Sequence, residues 1–110
     1  MSYLKKHEGL WVLHNDKDYC IGLTAEQAEA LGEMTFISLP KIGQAVKAGE
    51  PLLEIEAEKA VQEFKSPLTG VVSSINEKVS ADPKALDTKD ELDAWILSLR
   101  EVDVNEFENL

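Results

Sequence analysis

Glu56-Ala57-Glu58-Lys59-Ala60-Val61-Gln62-Glu63-Phe64-Lys65-Ser66-Pro67-Leu68-Thr69-Gly70-Val71-Val72 is the stretch that decides the fold. Leu52 to Glu56 at its start, Val61 to Lys65 within it and Gly70 to Ile75 at its end are short runs rich in strand formers. Glu58-Lys59-Ala60, between the first two runs, is predicted to be the exposed tip of a hairpin, where small Ala57 and Ala60 leave the approach to Lys59 open. The turn Pro67-Leu68-Thr69-Gly70 is predicted to need a positive φ at Gly70 ahead of Val71.

Upstream, Leu10 to Leu13 and Tyr19 to Leu23 read as strands around the turn residues Asn15-Asp16, and Met34 to Leu39 reads as another. Thr24-Ala25-Glu26-Gln27 is a capping box, and Ala28, Ala30 and Leu31 before Gly32 complete a short helix over residues 25–31. Downstream, Thr88-Lys89-Asp90-Glu91 has the same capping pattern, Trp95 to Leu99 reads as a strand, and Val104, Phe107 and Leu110 follow Asp103 at helical spacing. Ile42 to Gly49 superimposes on Ile75 to Asp82, aligning Ile with Ile, Val with Val and Ala with Ala. The two half-units would then share a tight-turn or left-handed backbone at Gly43 and Asn76, and again at Gly49 and Asp82. The fold class that follows is mainly β with a few short helices.

Length and composition bound what such a chain can do. Its 110 residues are expected to form one domain, 1–110, too small to enclose a substrate between lobes. With 44% hydrophobic and 29% charged residues it has the composition of a folded soluble protein, and no stretch approaches the roughly 20 apolar residues of a membrane span. Met1 to Glu8 has basic residues but no apolar core behind them, so no secretory signal is expected and the chain is placed in the cytoplasm. The formal net charge of -10 argues against nucleic-acid binding and favours basic protein partners for what is expected to be a monomer. Cys20 has no second cysteine to pair with and is expected to be a buried, inert thiol. His7 and His14 lack neighbours at ligand or triad spacing, so both read as surface residues and no metal site is proposed. No nucleophile with its base, acid–base pair or phosphate loop appears, which leaves an enzyme as the weakest reading.

Lys59 is where chemistry enters. A tether for an acyl cofactor needs an amine on a long stem projecting from a rigid base, and a hairpin-tip lysine meets that need. A solvated lysine among glutamates is the ordinary alternative. The motif Glu58-Lys59-Ala60, then Glu63, Ser66-Pro67 and Gly70, resembles the lipoyl attachment motif of lipoyl domains. That resemblance implies a sandwich of two antiparallel sheets of the lipoyl/biotinyl-domain kind, a barrel-sandwich hybrid, with lipoate held covalently on Lys59. Biotin carrier domains share the fold but set methionine on both sides of their lysine, where this chain has Glu58 and Ala60.

The flanks resemble the H-protein family of the glycine cleavage system. They carry Lys6-His7-Glu8 with Trp11-Val12, Gly22-Leu23-Thr24 with Ala28, Leu31-Gly32, Leu39-Pro40, Ile42-Gly43, Asn76, Pro83, Leu86 and Trp95-Ile96. The chain departs from the family at Gly9-Leu10, which intrudes between His7-Glu8 and Trp11, at Asp93-Ala94 before Trp95, and in the short stretch from Asp103 to Leu110. These departures make it most similar to the short H-like lipoyl proteins linked to a sirtuin-type ADP-ribosyltransferase and a macrodomain hydrolase.

The resemblance implies a non-catalytic carrier that presents a lipoylated Lys59 swinging arm and is modified by a lipoate-protein ligase, which must supply the base that frees the amine. On the H-like reading the carrier serves a redox response and is ADP-ribosylated on an acid, with Glu29 and then Glu26, i and i+3 on one helix face, as the candidates. The alternative is the glycine cleavage carrier itself, shuttling an aminomethyl group among glycine decarboxylase, aminomethyltransferase and dihydrolipoamide dehydrogenase. Glu63, and after it Glu8, would then face the amine of the cargo in a cleft near the lysine hairpin and the N-terminal strand. An unmodified β-sandwich interaction module, with Lys59 incidental, is the third reading.

Overall fold

The computed structural model describes residues 3–110; Met1 and Ser2, the start of the segment read as lacking a signal's apolar core, lie outside the described residues. In chain order the elements are β1 (Leu4–His7), β2 (Leu10–Asn15), β3 (Asp18–Leu23), α1 (Ala25–Leu31), β4 (Met34–Ser38), β5 (Ala45–Val46), β6 (Pro51–Ala57), β7 (Val61–Lys65) and β8 (Gly70–Ile75). There follow α2 (Glu77–Ala81), 3-10 turns at Pro83–Leu86 and Glu91–Ala94, β9 (Trp95–Arg100) and α3 (Val104–Glu108). Among the described residues the strands form a six-stranded sheet in the order β1-β2-β3-β9-β8-β5 and a three-stranded sheet in the order β4-β6-β7. Each pairing is antiparallel. The predicted mainly-β sandwich of two antiparallel sheets with short helices is the architecture found.

Alternation along the strands explains why the sheets stack. Val12 and Ile21 of the larger sheet and Ile55 and Phe64 of the smaller are at most 2% exposed, while Glu54, Glu63 and Lys65 point to solvent. Each aliphatic side chain so buried contributes roughly 1.5–3 kcal/mol relative to exposure. Thr24 caps α1 as its sequence predicts, its Oγ1 accepting from the Gln27 amide at 3.2 Å. The Gln27 side chain does not turn back on the cap; its Nε2 donates to Gln62 Oε1 at 2.5 Å, across to β7.

Several expectations are corrected. β1 was not foreseen, because Lys5-Lys6-His7 has no apolar alternation; it is an edge strand on β2. Gly9, which read as an intrusion, completes the β1–β2 turn: Glu8 and Gly9 both have positive φ, 48° and 86°, as a two-residue hairpin turn requires. The half-unit repeat holds at Val46 and Val79, both buried, but not in its backbone. Gly43 and Gly49 have φ of 90° and 85°, whereas Asn76 and Asp82 are helix caps with φ of -71° and -151°. The second capping box is displaced: Asp90, not Thr88, caps the 3-10 turn, accepting from the Leu92 amide at 3.0 Å.

Three side chains also sit differently from their sequence readings. Cys20 is half-buried and not enclosed; burial pushes its thiol above the ordinary value, Asp18 adds to the rise, and a hydrogen bond with Ser98 opposes it. Burial thus disfavours the thiolate, the reactive form of the side chain. His14 is not a free surface group. It stacks on Tyr19 with ring centroids 4.1 Å apart and meets the edge of Phe107 at 5.6 Å, which seats α3 on the sheet. His7, half-buried, has Nε2 3.6 Å from a Glu8 carboxylate oxygen.

Gly70 is needed for space and not for φ, since it is not among the residues with positive φ. A Cβ there would lie 2.7 Å from the Arg100 carbonyl oxygen and 2.8 Å from Val102 Cγ2, where β9 leaves the sheet. Gly70→Val is expected to destabilise the protein by about 1–3 kcal/mol through overpacking, read as a fall in melting temperature. An unchanged melting temperature would show that residues 100–102 yield freely.

Candidate functional site

The β6–β7 hairpin carries the lysine. Glu56 pairs with Val61 at the last rung, the Ala57 amide donates to the Ala60 carbonyl at 2.9 Å, and Glu58, Lys59 and Ala60 project beyond, all exposed. Ser66 closes the far end of β7 from a buried position, exchanging backbone hydrogen bonds with Gly49 and Glu50 at 2.8 Å and donating from Oγ to Leu68 O at 2.6 Å. The Ser66-Pro67 part of the motif thus stiffens the base from which the tip projects.

The tip is pinned on its other side by α1. The Glu58 amide donates to Glu33 O at 2.8 Å and the Lys59 amide to Leu31 O at 3.1 Å, so two peptide units of the turn are tied to the segment leaving the helix. The Lys59 side chain stays at the surface with Nζ 3.5 Å from Glu29 O, at the outer limit of a hydrogen bond, and no ion pair among the described residues uses it. An amine so placed has a fixed base and no ion pair among the described residues to give up on acylation.

The other candidates divide by face. Glu29 is exposed and its carbonyl lies beside the lysine ammonium, so α1 and the hairpin bring these two residues together. Glu26 is exposed one turn earlier. Glu63 faces away: it stands opposite Glu54 on the outer side of the small sheet and borders a groove of about 320 Å³ with Ser38, Leu39, Pro40 and Gln44. Glu8 is exposed at the β1–β2 turn beside His7. Sequence reasoning missed Gln27 and Gln62. They bridge α1 and β7, and Gln27 also lies against Gly9, where an added Cβ would be 3.0 Å from its Oε1. The signal was the alternation of β7, which turns Gln62 and Phe64 inward and Glu63 outward.

A family model described as "Glycine cleavage H-protein" matches residues 1–110. The glycine cleavage system H protein of Thermotoga maritima is 34% identical over 109 residues, covering 99% of this chain and 86% of that protein. That of Listeria monocytogenes serotype 4a is 36% identical over 103 residues, covering 94% and 81%. A crystal structure of a glycine cleavage system H protein from Mycobacterium marinum superimposes with a TM-score of 0.81 at 27% identity, covering 88% of this chain and 81% of that one. The chain belongs to the glycine cleavage H-protein family, whose members are non-catalytic carriers bearing lipoate covalently on a lysine.

Proposed function

We propose that Lys59 is the lipoyl-bearing lysine and that the chain, acting as one unit over 1–110, is the aminomethyl carrier of glycine cleavage. The observation that carries this reading is the exposed Lys59 amine, engaged in no ion pair among the described residues, on a doubly pinned hairpin tip, in a chain that matches the H-protein family along its whole length. The site fits the group: acylation removes a charge that no ion pair among the described residues uses, and exposed Glu58 and Ala60 leave room for a modifying enzyme. When attached, the lipoyl group supplies a disulfide that accepts electrons and cargo.

The chain's own residues do the positioning. The Ala57–Ala60 bond and the two bonds that the Glu58 and Lys59 amides donate to Glu33 O and Leu31 O hold the arm's root, so reach is gained from a fixed origin. Of the two acids offered for a cargo amine, Glu63 is turned to the outer face of the small sheet, which leaves exposed Glu8 at the β1–β2 turn as the candidate for a charge-assisted hydrogen bond. Partners on this reading are a lipoate-protein ligase, glycine decarboxylase, aminomethyltransferase and dihydrolipoamide dehydrogenase, met in the cytoplasm. The net charge of -10 favours basic docking surfaces on them.

The order of the two lipoyl readings is thereby reversed from the one the sequence departures favoured, because the comparisons lead to glycine cleavage H proteins. Gly9, one of those departures, is accounted for by its turn. Complementation of a strain lacking its glycine cleavage H protein tests the proposal: growth dependent on glycine cleavage is expected with the wild-type gene, and its absence despite lipoylation would count against it.

The H-like reading keeps one favourable observation, the nearness of Glu29 to the Lys59 amine. On that reading a Glu29 carboxylate oxygen bonds to the ribose carbon of NAD as nicotinamide departs, with a sirtuin-type transferase as catalyst and a macrodomain hydrolase to reverse it. Treatment of lipoylated protein with such a transferase and labelled NAD is expected to leave wild type and Glu29→Gln alike unlabelled. Labelling of wild type that Glu29→Gln or Glu26→Gln abolishes would restore the redox-linked, ADP-ribosylated carrier to first place.

A further inference from the structure

We infer that Gly32 is a positioning residue for Lys59, and that Leu31-Gly32-Glu33 forms a ledge on which the lysine stem rests. The inference rests on the reading of Lys59 as the lipoyl lysine and concerns how that side chain is aimed. The carbonyls on either side of Gly32 accept the two hydrogen bonds that tie down the hairpin tip, Leu31 O from Lys59 N at 3.1 Å and Glu33 O from Glu58 N at 2.8 Å. Between these anchor points the chain has no side chain. A Cβ on Gly32 would lie 3.0 Å from Glu58 Oε1 and 3.4 Å from both Cγ and Cε of Lys59. The stem of the lysine therefore crosses the bare face of the glycine along its length.

The backbone of Gly32 is also specific. Its φ of 79° and ψ of -152° lie in a region that only glycine enters readily, and its amide closes α1 on Ala28 O at 3.1 Å. That conformation turns both flanking carbonyls toward the hairpin. Leu31, 1% exposed, roots the ledge in the core, and the Glu33 carboxylate meets Lys84 Nζ at 3.3 Å on its outer side. Past the ledge, Lys59 Nζ lies against Glu29 O in the last turn of α1, the end of a helix that favours a cation. The arm leaves the protein from one direction, with its proximal methylenes seated and its ammonium at the outer limit of a hydrogen bond to Glu29 O. A modifying enzyme then meets the amine already aimed and does not have to immobilise the stem itself.

Alanine at position 32 would add backbone strain and a methyl group against Lys59 and Glu58 together, so controls must separate the two. Gly43 and Gly49 supply them: their φ values are 90° and 85°, and a Cβ on either meets nothing within 4 Å. The experiment compares wild type, Gly32→Ala, Gly43→Ala and Gly49→Ala, each shown folded by circular dichroism, as substrates of a lipoate-protein ligase with ATP and lipoate. For Gly32→Ala the KM for the acceptor protein is expected to rise about three- to tenfold, the cost of fixing one long side chain, with kcat little changed. The two controls should match wild type. Equal KM in all four proteins, or an equal rise in the three variants, would overturn the proposal. A readout independent of the ligase is the nuclear Overhauser contact between the Gly32 α-protons and the Lys59 ε-protons in the wild type, which is expected. Its absence would overturn the ledge even if Gly32→Ala failed to fold. An unlabelled wild type would instead remove the lipoyl reading of Lys59, and the contact would still decide whether the ledge exists.

Discussion

Gly22→Ala is expected to remove about 3 kcal/mol of stability, at the upper end of overpacking costs, and to lower the melting temperature by on the order of 10 °C. A Cβ on Gly22 would fall 2.2 Å from Cε2 and Cζ2 of Trp11 and 2.7 Å from the Ala94 carbonyl oxygen. None of these can retreat cheaply. Trp11 is 1% exposed and its Nε1 donates to Glu91 O at 3.0 Å, so moving the indole breaks a hydrogen bond as well as its packing. Ala94 O belongs to the turn that leads into β9, which pairs with β3 at Gly22 itself. Thermal unfolding monitored by circular dichroism measures the loss, with Gly43→Ala as the comparison in which the new methyl meets open space. A melting temperature for Gly22→Ala within a degree or two of wild type would mean that Trp11 is not fixed as described.

The contrast between Gly22 and the lysine hairpin shows what a sequence of this kind exposes to reading. The hairpin was legible because its information is local: two runs of strand formers, polar and small residues between them, and a motif around Lys59. So was the Thr24 cap, which needs only residues three apart. Gly22 carries no local mark of its role, since its constraint comes from a tryptophan on the neighbouring strand and a carbonyl far along the chain. Gly70 was singled out, but for its conformation when the true constraint is the return of β9 across β8.

The site divides along the same line. Lys59 could be named from its motif, and Glu29 lies near it only because α1 folds back on the hairpin. Glu63 was grouped with the lysine by nearness in sequence. The two-residue period of β7 sends it to the outer face and turns Gln62 toward α1 instead. Counting the period from Phe64, which the core demands, would have separated the two.

Lys59→Arg is expected to abolish lipoylation completely while leaving the melting temperature within about 0.5 kcal/mol of wild type in stability terms. The arginine guanidinium stays protonated and is no acyl acceptor, whereas its length and charge preserve the contact with the C-terminal end of α1. Lys17 is also exposed at a hairpin tip, between β2 and β3, but it stands in Asp16-Lys17-Asp18 without the Glu-Lys-Ala motif; Lys65, on the strand that follows the Lys59 tip, sits in the ladder opposite Pro51. Intact-mass measurement after incubation with ligase, ATP and lipoate reads the result, and lipoylation of the Arg variant would place the attachment elsewhere.

The most direct test of the central claim is release of labelled carbon dioxide from carboxyl-labelled glycine by glycine decarboxylase, with this protein as the only carrier. The account predicts release with lipoylated wild type and none above background with unlipoylated protein or Lys59→Arg. Failure of fully lipoylated wild type to support release would contradict it.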